Sequence, residues 1–308
     1  MNNNLAYIIK RILLAILTIF IVITATFFIM HLVPGGPFVS EKAVSESVQD
    51  AMNAKYGLDK PLFQQYATYL HDILFNFDFG PSLKQKGREV IDIIMDGFSI
   101  SCRIGLIAAL WGSIMGIFLG CVAAVKRNTW IDKTIMVIAT LFISMPSFII
   151  GSLFLLWFSS YLHWCPANGA TVEGLTLPII TLGLYPMANI TRLTRTSMLD
   201  VLGQDYIRTA KAKGVSNKGI IFKHALKNGI IPDITYFGPM LASIITGSLV
   251  VEQIFAVPGI GRAFIQSITS RDYTVLMGTT IFLACIIVIM TLLSDIAYKI
   301  ADPRIELS

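Results

Sequence analysis

Charge is scarce in this chain: only 14% of its 308 residues are Asp, Glu, Lys or Arg, roughly half the share of an ordinary soluble domain. With 55% hydrophobic residues and a mean hydropathy of +0.70, too few polar groups remain to cover a water-soluble fold, so lipid is the solvent that the composition implies. Also missing is any Gly-x-x-x-x-Gly-Lys-[Ser/Thr] run, which excludes a phosphate cradle for nucleotide hydrolysis by this chain. The four cysteines, Cys102, Cys121, Cys165 and Cys285, lack metal-ligand spacing, and no disulfide is read from them. His31, His71, His163 and His224 are scattered, and His163 with Cys165 supplies two potential ligands, short of a metal site. No apolar run sets a His beside a Ser or Asp in its interior, so a membrane-embedded hydrolase has no nucleophile and base. The net charge of +5 gathers in particular loops and does not indicate nucleic-acid binding.

What the chain does contain is six uncharged runs near spanning length: Ile12 to Met30, Ile104 to Val125, Thr134 to Leu162, Gly174 to Thr191, Ile234 to Val251 and Thr274 to Ser294. Backbone amides and carbonyls in lipid must be satisfied within the segment, and the alternation of barrel strands is absent. The expectation is an all-α integral membrane protein with six transmembrane helices. Its first run follows Lys10 and Arg11 and ends in His31-Leu-Val-Pro-Gly-Gly-Pro37 without a small-x-small cleavage site, which reads as an uncleaved anchor.

Lysine and arginine orient the spans. Segments 1–11, 126–133, 192–233 and 295–308 hold fifteen basic residues, against Arg262 and Arg271 in the short loops on the other side. Both termini are therefore expected in the cytoplasm. The long outer segment from Leu32 to Arg103 carries seven basic and nine acidic residues and crosses regardless of charge. Within it Tyr56-Gly-Leu-Asp-Lys-Pro61 reads as a turn between helical stretches. Leu62, Tyr66, Tyr69, Leu70, Ile73 and Leu74 then fall on one helical face, as in a small extracytoplasmic cap.

Arg103, Asp233, Glu252 and Asp295 sit at run ends, where long side chains reach water. With no charge inside the runs and no internal repeat, an ion-coupled secondary carrier is disfavoured. Pro146, Pro186 and Pro239 lie inside runs and are read as static kinks, and Gly112, Gly116 and Gly120 as a helix-packing stripe.

The most informative stretch lies between the fourth and fifth runs. Asp205-Tyr-Ile-Arg-Thr-Ala-Lys-Ala-Lys-Gly214 reads as a helix stopped by left-handed Gly214, and Ser216 or Asn217 caps a second helix. Tyr206, Ile207, Ala210 and Ala212 beside Arg208, Lys211 and Lys213 suit either a groove on a soluble partner or anionic lipid head groups.

This stretch resembles the EAA loop of the membrane subunits of binding-protein-dependent ABC importers, in its dipeptide and oligopeptide permease form. Aligned on Gly214, Arg208, Thr209 and Ala210 stand on Glu-Ala-Ala, and His224, Leu226 and Lys227 on Ile, Leu and Pro. Ala210, Gly214 and Leu226 match that general pattern. Further pieces resemble the family along nearly the whole chain: His31 to Pro37, Tyr56 to Pro61, Phe79-Gly-Pro-Ser82, Leu177 to Gly183, Gly247 to Gly261, Arg271-Asp-Tyr273 and Asp302-Pro-Arg304.

The resemblance implies a type I ABC importer permease-like fold in a bacterial inner membrane, with an extracytoplasmic insertion after the first helix. Residues 1–31 would hold the amino terminus and first span, 32–97 the insertion, 98–299 the core with a coupling loop at 200–230, and 300–308 a cytoplasmic tail. It also implies a non-catalytic half-channel that pairs with a second, homologous permease, two ABC ATPases or a homodimer of one, and an extracytoplasmic peptide-binding protein. ATP and magnesium would be used by the ATPases, with no cofactor on this chain. Asp205, Tyr206, Arg208, Thr209, Ala210, Lys211, Ala212, Lys213 and Gly214 are the expected ATPase-coupling residues. The substrate would be a dipeptide or oligopeptide, the alternatives within the family being nickel, a metal chelate or glutathione.

Overall fold

The computed structural model describes the backbone of residues 2–32, 57–246 and 249–301 and the side chains of 9–32, 57–246 and 249–293. Val33 to Pro37, Tyr56, Gly247, Ser248 and Asp302 to Arg304, all within the motifs named above, lie outside the described residues, as does any helix preceding the turn at Gly57. The described chain is helical nearly throughout: α1 (Asn2–Leu32), α2 (Leu62–His71), α3 (Val90–Val125), α4 (Trp130–Ser144), α5 (Ser147–Phe154), α6 (Thr176–Leu202), α7 (Asp205–Ala212), α8 (Ile231–Ile245), α9 (Leu249–Ile254), α10 (Ile260–Ser270) and α11 (Tyr273–Ala301).

By length and composition, four stretches among the described residues are apolar enough to cross a membrane, at Ile9–Leu32, Val90–Val125, Ile231–Ile254 and Tyr273–Leu293. A fifth is α4 joined to the helical stretch Ser147–Tyr161, which meet at 105°. The remaining run, Gly174 to Thr191, becomes the first part of α6. That helix has spanning length, about 40 Å at 1.5 Å per residue, but carries Asn189, Arg192 and Arg195 and is too polar to be counted by composition.

Two boundaries differ from the sequence reading. α3 begins at Val90 rather than near Ile104, because Asp92, Asp96 and Arg103 interrupt the apolar run without interrupting helix geometry. The Pro146 run is broken rather than kinked: Met145 is extended (ψ 127°) ahead of the proline, and α5 starts afresh after it. Pro186 and Pro239 stay inside α6 and α8.

The chain forms two compact units, residues 1–99 with 259–288 and residues 100–258 with 289–308. In the first, Ile23, Phe27 and Met30 of α1 pack on Tyr66, Tyr69 and Ile73 and on Tyr273, Met277 and Ile281 of α11. The predicted apolar face of residues 62–74 thus points inward at Tyr66, Tyr69, Leu70 and Ile73, while Leu62 and Leu74 stay exposed. Thr24 and Tyr66 share a hydrogen bond of 2.8 Å. Val90, Ile93 and Ile94 of α3 meet Ile260 and Val275, and Gly97 lies so near α10 that a Cβ would stand 2.8 Å from the Ile260 nitrogen.

Buried Asp272 ties this unit together. Its carboxylate accepts from the Ser82 hydroxyl, the Leu83 and Lys84 amides and the Thr274 hydroxyl. Two sequence motifs nearly two hundred residues apart, Phe79 to Ser82 and Arg271 to Tyr273, are therefore halves of one contact.

In the second unit α6 is the hub, packed by α4, α5, α8 and α9. The glycine stripe is a packing stripe. A Cβ at Gly112 would stand 2.6 Å from the Gly183 carbonyl, one at Gly116 2.8 Å from Ile190, and one at Gly120 2.6 Å from Thr194. Trp111 caps the seam by donating to the Ile179 carbonyl at 3.1 Å.

Asp272→Ala is expected to cost on the order of 3 kcal/mol, because it strands several buried donors, and thermal unfolding of the detergent-solubilised chain measures it. Gly116→Leu is expected to separate α3 from α6 and reduce the yield of folded chain, read by fluorescence-detected size exclusion, whereas Gly87→Ala, whose position is open though left-handed, costs about 1 kcal/mol.

Candidate coupling site

Helix α7 is only eight residues long and stands because its ends and one face are fixed. Asp205 in its first turn complements the helix dipole and lies 3.4 Å from Arg208, an exposed pair that contributes little. At the other end Gly214 takes φ +77°, the Val215 amide donates to Ala210 at 3.2 Å and the Gly214 amide to Lys211 at 3.0 Å. These two bonds form a Schellman cap, with Val215 packed beside the helix as its apolar clasp. Ser216 then accepts from the Gly219 amide at 3.3 Å and opens a helical stretch that runs to Gly229. The predicted glycine stop and serine cap are both present.

The predicted coupling residues divide between two faces. Ile207 and Ala210 are buried with Ala124, Met198, Ile220 and Ala225, so the chain's own body takes the apolar side chains that the sequence reading offered either to a groove on a partner or to lipid head groups. The reason is geometric: one helical face holds both residues at i and i+3, and the carboxyl-terminal ends of α3 and α6 lie beneath it. Asp205, Tyr206, Arg208, Thr209, Lys211, Ala212, Lys213 and Gly214 are exposed. The Tyr206 hydroxyl accepts from the Asn228 side chain at 2.8 Å, which fixes the α7 ring against the following stretch. Phe222, 69% exposed, joins this surface without having drawn notice in the sequence, since nothing in its neighbourhood distinguishes an outward ring from a core one.

A cavity of about 530 Å³ opens at the break between α4 and α5. Ser144, Met145, Pro146 and Ser147 form one wall, and Tyr185, Tyr236, Met240 and Ser243 of α6 and α8 the others. Hydroxyls and thioether alternate there with apolar surface, and no charged side chain lines it.

Sequence reasoning placed Asp233 and Glu252 at water-reaching ends, yet both are buried. Ser101 donates to Glu252 at 2.7 Å and Thr194 to Asp233 at 2.8 Å. A run end is located by the next charge, whereas depth is set by the helices packed around it, so spacing carried no signal for this. Arg103 is exposed as expected, and the Asp295 side chain lies outside the described residues.

The all-α membrane fold is shared by solved structures of ABC transporters. An inward-facing form of the MetNI methionine ABC transporter matches 69% of this chain and 97% of its own with a TM-score of 0.59 at 16% identity. An amino acid ABC transporter crystallised with histidines matches 68% and 94% with a TM-score of 0.53 at 14% identity. The family described as binding-protein-dependent transport system inner membrane component matches residues 116–307, and its amino-terminal counterpart residues 4–104. The chain belongs to this family. It is 47% identical over 302 residues to the dipeptide transport system permease protein DppB of Bacillus subtilis, covering 98% of each. It is also 41% identical over 305 residues to the oligopeptide transport system permease protein OppB of Haemophilus influenzae, covering 98% of this chain and 99% of that one.

The two faces of α7 are expected to respond differently to truncation: Ile207→Ala lowers stability by about 2–4 kcal/mol, while Arg208→Ala and Lys211→Ala stay within about 0.5 kcal/mol, as thermal unfolding of the purified chain will read.

Proposed function

We propose that this chain is the transmembrane permease subunit of an ATP-driven importer of dipeptides or oligopeptides, forming half of the translocation path. Similarity along 98% of the chain to permeases named for dipeptide and oligopeptide transport carries the reading, and it favours peptides over nickel, metal chelates or glutathione. The chain supplies no catalytic residues. A second, homologous permease completes the channel, two ABC ATPases supply ATP and magnesium chemistry, and an extracytoplasmic binding protein delivers the peptide. Both termini lie in the cytoplasm, as the fifteen basic residues of segments 1–11, 126–133, 192–233 and 295–308 support.

In this reading α7 docks on an ATPase through Tyr206, Arg208, Lys211 and Phe222, all exposed, while buried Ile207 and Ala210 make the helix one piece with the ends of α3 and α6. A helix anchored on one face and charged on the other is suited to pass displacement inward. Nucleotide and loaded binding protein favour an outward-open state, and hydrolysis restores the inward-open one. The cavity behind Pro146 is the passage on this chain's side. Its uncharged lining suits cargo whose side chains vary, with selection left to the binding protein.

The test is purification in mild detergent from the native membrane, with an ATPase assay in the presence and absence of loaded binding protein. Two Walker-motif ATPases and a second permease should accompany the chain, with peptide-stimulated hydrolysis; recovery of the chain alone would reject the reading. Gly214→Val strains the Schellman cap by about 1–2 kcal/mol and is expected to abolish that stimulation, and intact stimulation in this variant would reject the docking role of α7.

A further inference from the structure

Two adjacent residues of α6 reach into two different helices. Arg195 grips Asp132 of α4 with both Nε, at 2.6 Å, and Nη2, at 2.9 Å. Thr194 donates to Asp233 of α8 at 2.8 Å. Both carboxylates are nearly lost to solvent, at 2% and 3% exposure. Asp132 is held from a second side by the Asn128 amide at 2.9 Å, and Asn128 itself sits in the left-handed region at φ +63° in the turn before α4. Slack is small on the α3 side as well, since Gly120 lies against Thr194.

Both helices so gripped border the cavity. From Asp132, α4 runs about 18 Å at 1.5 Å per residue to Ser144, Met145 and Pro146 at its broken end. From Asp233, α8 carries Tyr236, Met240 and Ser243 on to the facing wall. In the other direction, one turn along α6 from Thr194 and Arg195, Met198 is buried in the cluster that seats Ile207 of α7.

Apolar contact alone can hold helices together, and a buried ion pair gives little net stability after desolvation. What a two-pronged guanidinium–carboxylate link adds is direction: it resists sliding and rotation that an apolar seam permits. We propose that Arg195–Asp132 and Thr194–Asp233 are positioning links that convert displacement of α7 into movement of both cavity walls. The proposal rests on the importer reading above and names the residues through which its coupling passes.

The test uses the complete complex with its ATPases and binding protein in proteoliposomes, reading peptide taken up per ATP hydrolysed. Asp132→Asn and Arg195→Gln should each lower that ratio about tenfold, with basal hydrolysis within about twofold of the parent, the scale of a broken coupling term. The double variant should be no worse than either single change, because both break one link. Thr194→Val, close to isosteric, tests the second link in the same way should the charge variants assemble poorly. Assembled variants with an unchanged ratio, or losses that follow complex yield alone, overturn the proposal. Such a result with normal wild-type uptake leaves the importer reading intact, whereas a wild-type complex without peptide-dependent uptake overturns both.

Discussion

Close approach between α3 and α6 governs what the rest of the second unit can do. Three glycines spaced by four bring one backbone against Gly183, Ile190 and Thr194 of the other, a distance at which dispersion and weak backbone contacts hold helices without help from water. Once α6 is set that close, α4, α5, α8 and α9 can close around it, and its polar residues find partners instead of lipid. Asn189 bonds back to the Tyr185 carbonyl, Thr191 to Met187, Thr194 to Asp233 and Arg195 to Asp132. A single side chain larger than hydrogen along that seam would displace α6 and loosen its two interhelical bonds, Thr194 to Asp233 and Arg195 to Asp132, together.

The first unit uses polar atoms for the same purpose. Asp272 gathers donors from a loop distant in sequence and holds them at the start of α11. A carboxylate shared by several donors is a stronger clamp than a neutral acceptor, and it fixes a loop whose apolar contacts with the unit come from Phe79 and Leu83.

Much of this was legible in advance because apolar runs and turn residues act locally. The existence of the spans, the stop at Gly214, the cap at Ser216 and the role of the glycine stripe follow from which residues tolerate lipid, left-handed backbone or close contact. The depth of Asp233 and Glu252, the inward turn of Ile207 and Ala210, and the pairing of Asp132 with Arg195 depend on which helix lies next to which, and residues 63 positions apart carry no mark of that. Pro146 falls between the cases: a proline in an apolar run announces a disturbance, but only its neighbours decide between a kink and the 105° break.

The polarity of α6 also bears on how the chain is made. Its uncharged part, residues 176–191, holds Asn189 and is less apolar than the other spans, so α6 gains more than they do from α3, α4 and α5, which precede it in the chain and pack against it. An order of assembly follows as an expectation: the more apolar helices settle first, and the central helix joins them. A lesion in the receiving helices is then expected to show first as loss of a settled position for α6, ahead of any effect on the apolar helices themselves.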